Sequence, residues 1–309
     1  MVPRERKRRE GTDGRQAAFE GMDSFLELEE PVPPQPGIPL LSEVTFCCFD
    51  AETTGLSAFS RLVEIGAVRF RLEGEPEEFS TLVDPGRPIE EDAVLVHGID
   101  DDMVSGAPDA HEALSSFFGF TQGCVPVAHN ASFDVGVMAV EASRAGLPLP
   151  EETVLDSIGL ARNCLPGLAN YRLSTLAEAL GIGDSLLHRS LADARVVARI
   201  VEEAALRDGG WRSRPWGHLA DLTSSVRFRD FSLGAAGAPR GLALLQEAAE
   251  AGLAVSIVYE GGSKGTQPRL VTPRGLQVRR GVVYLEALCH LDGVIKKFRL
   301  DRIRAIELV

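Results

Sequence analysis

A short apolar run, Val44 to Phe49, ends in Asp50-Ala51-Glu52-Thr53-Thr54-Gly55-Leu56. Its length, its β-branched and aromatic content and its lack of charge predict a buried strand. Alternate residues of a strand share a face, so the carboxylates of Asp50 and Glu52 project together. Two like charges that close repel each other and lose hydration, an arrangement tolerated mainly where a cation sits between them. The plainer reading is two surface acids at a strand end. Acids echoed further along the chain argue against it.

His129-Asn130-Ala131-Ser132-Phe133-Asp134 follows another short apolar run, Val125 to Ala128. Asn130 and Ser132 are expected as N-caps of a helix running to about Ala145, ended by Gly146 and Pro148. Asp134 then falls in the first turn, where the helix dipole favours a carboxylate. His188-Arg189-Ser190-Leu191-Ala192-Asp193 opens a second helical pattern, Ser190 to Leu206, with Leu191, Ala194, Val197, Ala198 and Val201 at core spacing. Five residues along an ideal helix turn through about 140°, so His188 belongs to the preceding loop while Asp193 points in from the helix. The set Asp-x-Glu, Asp, His-x-x-x-x-Asp therefore lies at strand ends and helix starts, where side chains can converge on one cleft.

Over about Glu43 to Leu206 these motifs resemble the DEDDh exonucleases, the DnaQ-like family that includes the proofreading subunit of bacterial DNA polymerase III. The resemblance implies an α/β fold, a ribonuclease H-like mixed sheet flanked by helices, and removal of nucleotides from a 3′ end as nucleoside 5′-monophosphates. It implies two divalent ions, Mg²⁺ or Mn²⁺, held by Asp50, Glu52, Asp134 and Asp193, with His188 taking the proton from the attacking water. Hard carboxylate oxygens suit these ions rather than zinc. By the same resemblance Thr53, Thr54, Gly55 and Leu56 hold the terminal nucleotide, and His97, Asn130 and Phe133 are further substrate candidates. A structural role for His97, which sits in Val96-His97-Gly98-Ile99, stays open. Asp156 matches a supporting acid. The implied partner is DNA, or RNA, with a free 3′ end, in a polymerase or repair complex. Proofreading-type, RNA-trimming and short-oligonucleotide enzymes share this site, and Asp-x-Glu-Thr-Thr-Gly-Leu favours DNA. A non-catalytic nucleic-acid sensor would be expected to have lost one of the five residues, and none is lost.

The chain of 309 residues carries a net charge of −13, unevenly placed. Residues 207–309 hold 16 basic and 10 acidic side chains, whereas residues 1–206 hold 16 basic and 35 acidic ones. The first part thus needs bound cations before it can approach a phosphate backbone, and the basic part is either the electrostatic footprint for nucleic acid or a solvated face. No apolar stretch approaches the roughly 20 residues that span a bilayer, and no apolar segment follows the basic Met1 to Glu10. The five scattered cysteines read as buried thiols. Together these predict a cytoplasmic protein without membrane contact.

Four regions are expected. Residues 1–42, basic and then Pro-rich, form a disordered leader; 43–206 the exonuclease domain; 207–240 a linker; 241–309 a small twisted sheet or barrel behind one helix. The last region resembles a WYL domain through Ile257-Val258-Tyr259, Arg269-Leu270-Val271-Thr272-Pro273, Val283-Tyr284-Leu285 and Phe298-Arg299-Leu300-Asp301-Arg302-Ile303. Val283 replaces the Trp that gives the domain its name. The resemblance implies an Sm-like β-barrel, a regulatory nucleic-acid or ligand-binding role, and Arg269, Tyr284, Arg299 and Arg302 as candidate contacts.

Overall fold

The computed structural model describes residues 39–55, 59–183, 188–207, 210–231, 239–261, 265–279 and 282–309. Six strands form the first sheet: β1 (Phe46–Thr53), β2 (Leu62–Phe70), β3 (Glu77–Leu82), β4 (Val125–Ala128), β5 (Thr153–Asp156) and β6 (Ser225–Arg227), in the order β3-β2-β1-β4-β5-β6. The meander β1–β2–β3 is antiparallel, β4 and β5 run parallel to β1, and β6 returns antiparallel. The helices are α1 (Glu91–His97), α2 (Asp101–Val104), α3 (Ala110–Thr121), α4 (Ser132–Ala145), α5 (Ser157–Cys164), α6 (Leu173–Ala179), α7 (Ser190–Leu206), α8 (Gly217–Asp221) and α9 (Pro239–Ala251).

The period of two along β1 decides what each side chain meets. Cys47, Phe49 and Ala51 pack into one core, with Phe117 of α3 and Met138 of α4. Phe46 and Cys48 pack into another, with Leu160, Leu176 and Val197 of α5, α6 and α7. Continuing the second row places Asp50 and Glu52 on the face that α7 covers. α7 lies tight against β2 because Gly66 has no side chain: a Cβ there would stand 2.1 Å from Leu191 N. The helix start carrying Asp193 is thereby seated directly on the sheet.

A second sheet is antiparallel: β7 (Val255–Tyr259), β8 (Arg269–Arg279), β9 (Val282–Cys289), β10 (Val294–Arg299) and β11 (Ile303–Leu308), in the order β10-β9-β8-β7-β11. The expected barrel is observed as this sheet, with no pairing between β10 and β11 among the described residues. Leu242, Leu245 and Ala248 of α9 share one continuous buried cluster with Val137, Ala139 and Ala142 of α4 and with Val255, Leu285 and Phe298 of the second sheet.

Two expected boundaries move. Residues 207–240 do more than link. Ser225–Arg227 adds a strand to the first sheet, Phe231 is buried, and Phe228 meets Phe118 edge-on at 5.6 Å. Trp211 is buried, as an apolar ring this large is expected to be. The end of the expected leader is also folded. Leu41 is fully buried and its N–H donates to Arg214 O at 2.9 Å, while Trp216 N–H donates to Pro39 O at 3.0 Å. The rest of the leader lies outside the described residues. Among those residues no helix is long and apolar enough to cross a membrane.

Candidate active site

Strand β1 and helix α7 bring three acids together. Carboxylate oxygens of Asp50, Glu52 and Asp193 lie within 4.8 Å of one another. Asp134 is buried in the first turn of α4, and its Oδ1 accepts from Ala51 N–H of β1 at 3.1 Å. It stands outside the group of three but is close enough to repel Asp50.

The charges are left largely uncompensated. Burial, then Asp134, Glu52 and Asp193, pushes Asp50 well above the usual carboxylate range. Glu52 is raised to about 7 by burial and by Asp193 and Glu64, against a smaller opposite pull from Arg189. Burial raises Asp134 to about 8 despite two backbone hydrogen bonds, and raises Asp193 to about 6 despite the N–H and charge of His188. Carboxylates driven this way want either protons or a cation among them. An all-oxygen donor set of this kind fits a hard divalent ion. The residues present therefore fit the metals expected of the sequence.

His188 is exposed, precedes α7 and adopts a left-handed conformation with φ 68°. Its N–H points at Asp193 Oδ1 at 3.4 Å. A non-glycine residue with positive φ is uncommon and worth explaining. Here the turn puts the histidine beside the acid five residues on.

Two residues that the sequence did not single out support this corner. Glu64 of β2 is buried, pairs in register with Glu52, and accepts from Arg189 Nε at 3.1 Å and from Ser190 N–H at 2.9 Å. Arg189 and Glu64 thus fasten the start of α7 to the sheet. A single acid inside the apolar run Leu62-Val63-Glu64-Ile65 was the available signal. Asp156 is likewise structural: its Oδ1 accepts from Asn130 N–H at 3.1 Å and caps α5 through Ile158 N–H at 3.0 Å.

The substrate candidates separate. Thr53 and Thr54 are buried. The Thr53 hydroxyl donates to Gly55 O at 2.5 Å and the Thr54 hydroxyl accepts from Arg61 N–H at 3.1 Å. Their side chains hold the turn. A Cβ on Gly55 would lie 2.8 Å from the Glu90 carboxylate, so the turn packs closely there. Leu56 lies outside the described residues. His97 ends α1 rather than sitting in a loop, and both ring nitrogens are engaged. Its Nδ1 accepts from Ile99 N–H at 3.0 Å, which leaves Nε2 as the protonated nitrogen facing Thr53 O at 3.3 Å. Burial lowers its pKa. A bond from His97 to a nucleotide would have to displace one of these contacts, so the structural alternative is the one the geometry favours. Asn130 is exposed and left-handed, φ 56°, and Phe133 is half-buried against the core. Neither Asn130 nor Ser132 is the N-cap of α4. Ala131 holds that position without a side-chain bond, because Asn130 is committed to the turn that Asp156 pins.

In the second sheet, Arg269 is buried, donates to Gly265 O at 3.1 Å and lies 5.8 Å over the Tyr259 ring. Arg299 forms a two-pronged pair with Asp301, at 3.0 and 2.6 Å. Tyr284 is half-buried on β9 opposite Arg299, and the Arg302 guanidinium lies near Gly261. Val283 is buried in the core, facing away from Tyr284.

The exonuclease family, RNase_T, matches residues 47–201, half of the chain. The chain belongs to this family, and its first sheet and helices are the ribonuclease H-like fold of that family. The WYL domain matches residues 240–308, so α9 and the second sheet are a WYL domain. Curated relatives include the PolC-type DNA polymerase III of Caldanaerobacter subterraneus, 40% identical over 172 residues, 53% of this chain and 12% of the relative. The PolC-type polymerase of Lactococcus lactis is 37% identical over 176 residues, 55% of this chain and 11% of the relative. The chain therefore spans about an eighth of the length of such relatives. Among solved structures, exonuclease X in complex with 5′ overhanging duplex DNA is 28% identical, covers 58% of this chain and 99% of its own, and gives a TM-score of 0.45.

Proposed function

We propose that the chain is a divalent-metal-dependent 3′→5′ exonuclease that hydrolyses single-stranded DNA to nucleoside 5′-monophosphates. The observation that carries this reading is the approach of Asp50, Glu52 and Asp193 to within 4.8 Å, with burial raising all three and the charges of Glu52 and Asp193 raising Asp50 further. In this reading those three residues and Asp134 hold two ions, Mg²⁺ or Mn²⁺. Bound there, the ions would polarise the scissile phosphate, sharpen the attacking water and stabilise the leaving 3′-oxygen. His188 takes the proton from that water, a role for which its exposed, turn-mounted position is suited. The Thr53–Gly55 turn supports the terminal nucleotide through its backbone, since its hydroxyls are spent internally. The WYL domain serves as a nucleic-acid or ligand-binding regulatory module. Relatedness to PolC-type polymerases supports a setting in DNA replication or repair.

The test is hydrolysis of matched 5′-labelled and 3′-labelled single strands, DNA and RNA, with Mg²⁺, Mn²⁺ or EDTA. Expected is a metal-dependent ladder shortening from the 3′ end, faster on DNA. A faster RNA ladder would transfer the substrate assignment to RNA, and binding without cleavage in either metal would overturn the enzymatic reading.

A further inference from the structure

Four neighbouring residues, Arg61, Glu141, Arg144 and Gln246, bring buried polar atoms together. Burial raises the Glu141 carboxyl, against Arg61, Arg144 and the Gln246 carboxamide, which favour its charged form. Buried polar groups are costly unless paired, so a cluster of them calls for an explanation. Arg61 Nε stands 2.7 Å from Glu141 Oε1 as an ion pair, with Arg144 at 4.0 Å. The place is the junction of α4 with α9, between the exonuclease and WYL domains.

Gln246 is the WYL domain's contribution to that junction. It is fully buried on a helix whose neighbouring inward positions are Leu242 and Leu245. A leucine would fit such a face, and a buried carboxamide costs stability unless its bonds are made. Its NH₂ donates to the Phe59 carbonyl and to Glu250 Oε1 at 2.8 Å, and Glu250 in turn pairs with Arg87 at 2.8 Å. Phe59 opens the segment Phe59–Arg61 that leads into β2. The Arg61 backbone makes two bonds to Thr54: its carbonyl accepts from Thr54 N–H at 2.9 Å, and its N–H donates to the Thr54 hydroxyl Oγ1 at 3.1 Å. Thr54 lies two residues beyond Glu52. One carboxamide from the second domain is thus connected, through four short links, to the end of the acid-bearing strand.

We propose that Gln246 is a positioning residue for the exonuclease reaction: it holds Phe59–Arg61 against Thr54 and so sets the turn that seats the 3′-terminal nucleotide. The inference rests on the function proposed above. It makes the WYL domain a part of the substrate edge, so that the state of one domain is felt in the other through α9.

Gln246→Met keeps the volume and removes both donors, and Gln246→Glu keeps a polar group but reverses its hydrogen-bonding sense toward Phe59. Each full-length variant is compared with wild type by steady-state hydrolysis of a 5′-labelled DNA strand in Mg²⁺, by Mn²⁺ titration, by Tm, and by hydrogen exchange at the Thr54 and Arg61 amides. Expected is a rise in KM of about five- to tenfold, the scale of one buried hydrogen bond. With it go a kcat within about twofold, an unchanged Mn²⁺ affinity and faster exchange at the two amides. Unchanged KM and exchange would overturn the proposal. So would a uniform loss of kcat, Mn²⁺ affinity and Tm, which marks a residue needed only for folding. Should Gln246→Met fail to fold, the same outcomes are read on Gln246→Glu. If wild type binds Mn²⁺ but cleaves nothing, the functional reading falls by itself, and the exchange measurement still decides whether Gln246 fixes the turn.

Discussion

One corner of the first sheet handles charge in the opposite way to the second sheet. On the first, Asp50, Glu52 and Asp193 crowd together and burial lifts all three. On the second, acids and bases alternate in pairs: Arg299 with Asp301, Arg304 with Glu260, Lys296 with Asp292, and Lys297 with Glu286 at 3.5 Å. Net charge alone left the C-terminal region as either the nucleic-acid footprint or a solvated face. Paired charges cancel at the distances over which a phosphate backbone would feel them, so an excess of arginine is weaker evidence of a ligand than a handful of unmatched acids. A site is marked by the charge that the protein leaves unmatched.

The largest effect expected from breaking this contrast is at Asp50. Asp50→Asn removes a repelling, buried carboxylate and a metal ligand together. Hydrolysis should fall by about a thousandfold or more, while the Tm measured in EDTA should rise, because the variant no longer holds like charges apart. A Tm that fell in EDTA would mean the carboxylate is satisfied within the protein and would remove the argument for a cation.

Gly66→Ala attacks the same site from a distance. The added methyl would meet Leu191 N at 2.1 Å and Ser190 C at 2.3 Å, backbone atoms that a rotamer change cannot move. The start of α7 must lift from the sheet, taking Asp193 and the Arg189–Glu64 anchor with it. Overpacking of this kind costs about 1–3 kcal/mol, and activity should drop further than stability. Wild-type activity in Gly66→Ala would show that Asp193 does not need its seat on β2.

Most of this architecture was legible in the sequence, and the failures have physical causes. Short apolar runs located β1 and β4, helical spacing located α7 because it buries a continuous face, and the same-face argument for Asp50 and Glu52 follows directly from strand geometry. What periodicity could not reveal was which polar groups are consumed internally. For His97 the sequence left a substrate contact and a structural role both open, and only the folded chain shows Ile99 N–H and Thr53 O taking both its nitrogens. Glu64 looked like an ordinary strand acid, yet its register opposite Glu52 makes it part of the site. The 207–240 segment read as a linker because β6 is only three residues long, too short for a periodic signal.

A smaller effect is expected from pH. Glu52, Asp134 and Asp193 protonate in the fold at about 7, 8 and 6, above their values of about 4 in an unfolded chain. The folded state then binds more protons than the unfolded one in this window, so metal-free stability falls as pH rises through it. Each group's contribution is complete below its unfolded pKa and lost once the pH passes its folded one. A bound divalent ion displaces those protons and should reverse the trend. The Tm gained on adding Mn²⁺ to EDTA-treated protein should therefore grow between about pH 5.5 and 8, with proton release measurable in weakly buffered solution. A gain independent of pH would mean that the ion binds elsewhere.

The smallest effect belongs to the second sheet. Arg304 and Glu260 are 37% and 54% exposed at the side chain, so water screens their attraction and a pair of this kind is worth at most about 1 kcal/mol. Arg304→Ala should shift Tm slightly and leave hydrolysis unchanged. Glu260→Gln is the more telling partner, because it leaves Arg304 unmatched on the surface. If unmatched charge is what recruits ligands, Glu260→Gln should tighten DNA binding and steepen its salt dependence. Parallel small losses in both variants would instead mean that the pair does nothing but brace β11 against the end of β7, and that the sheet's arginines are structural wherever an acid answers them.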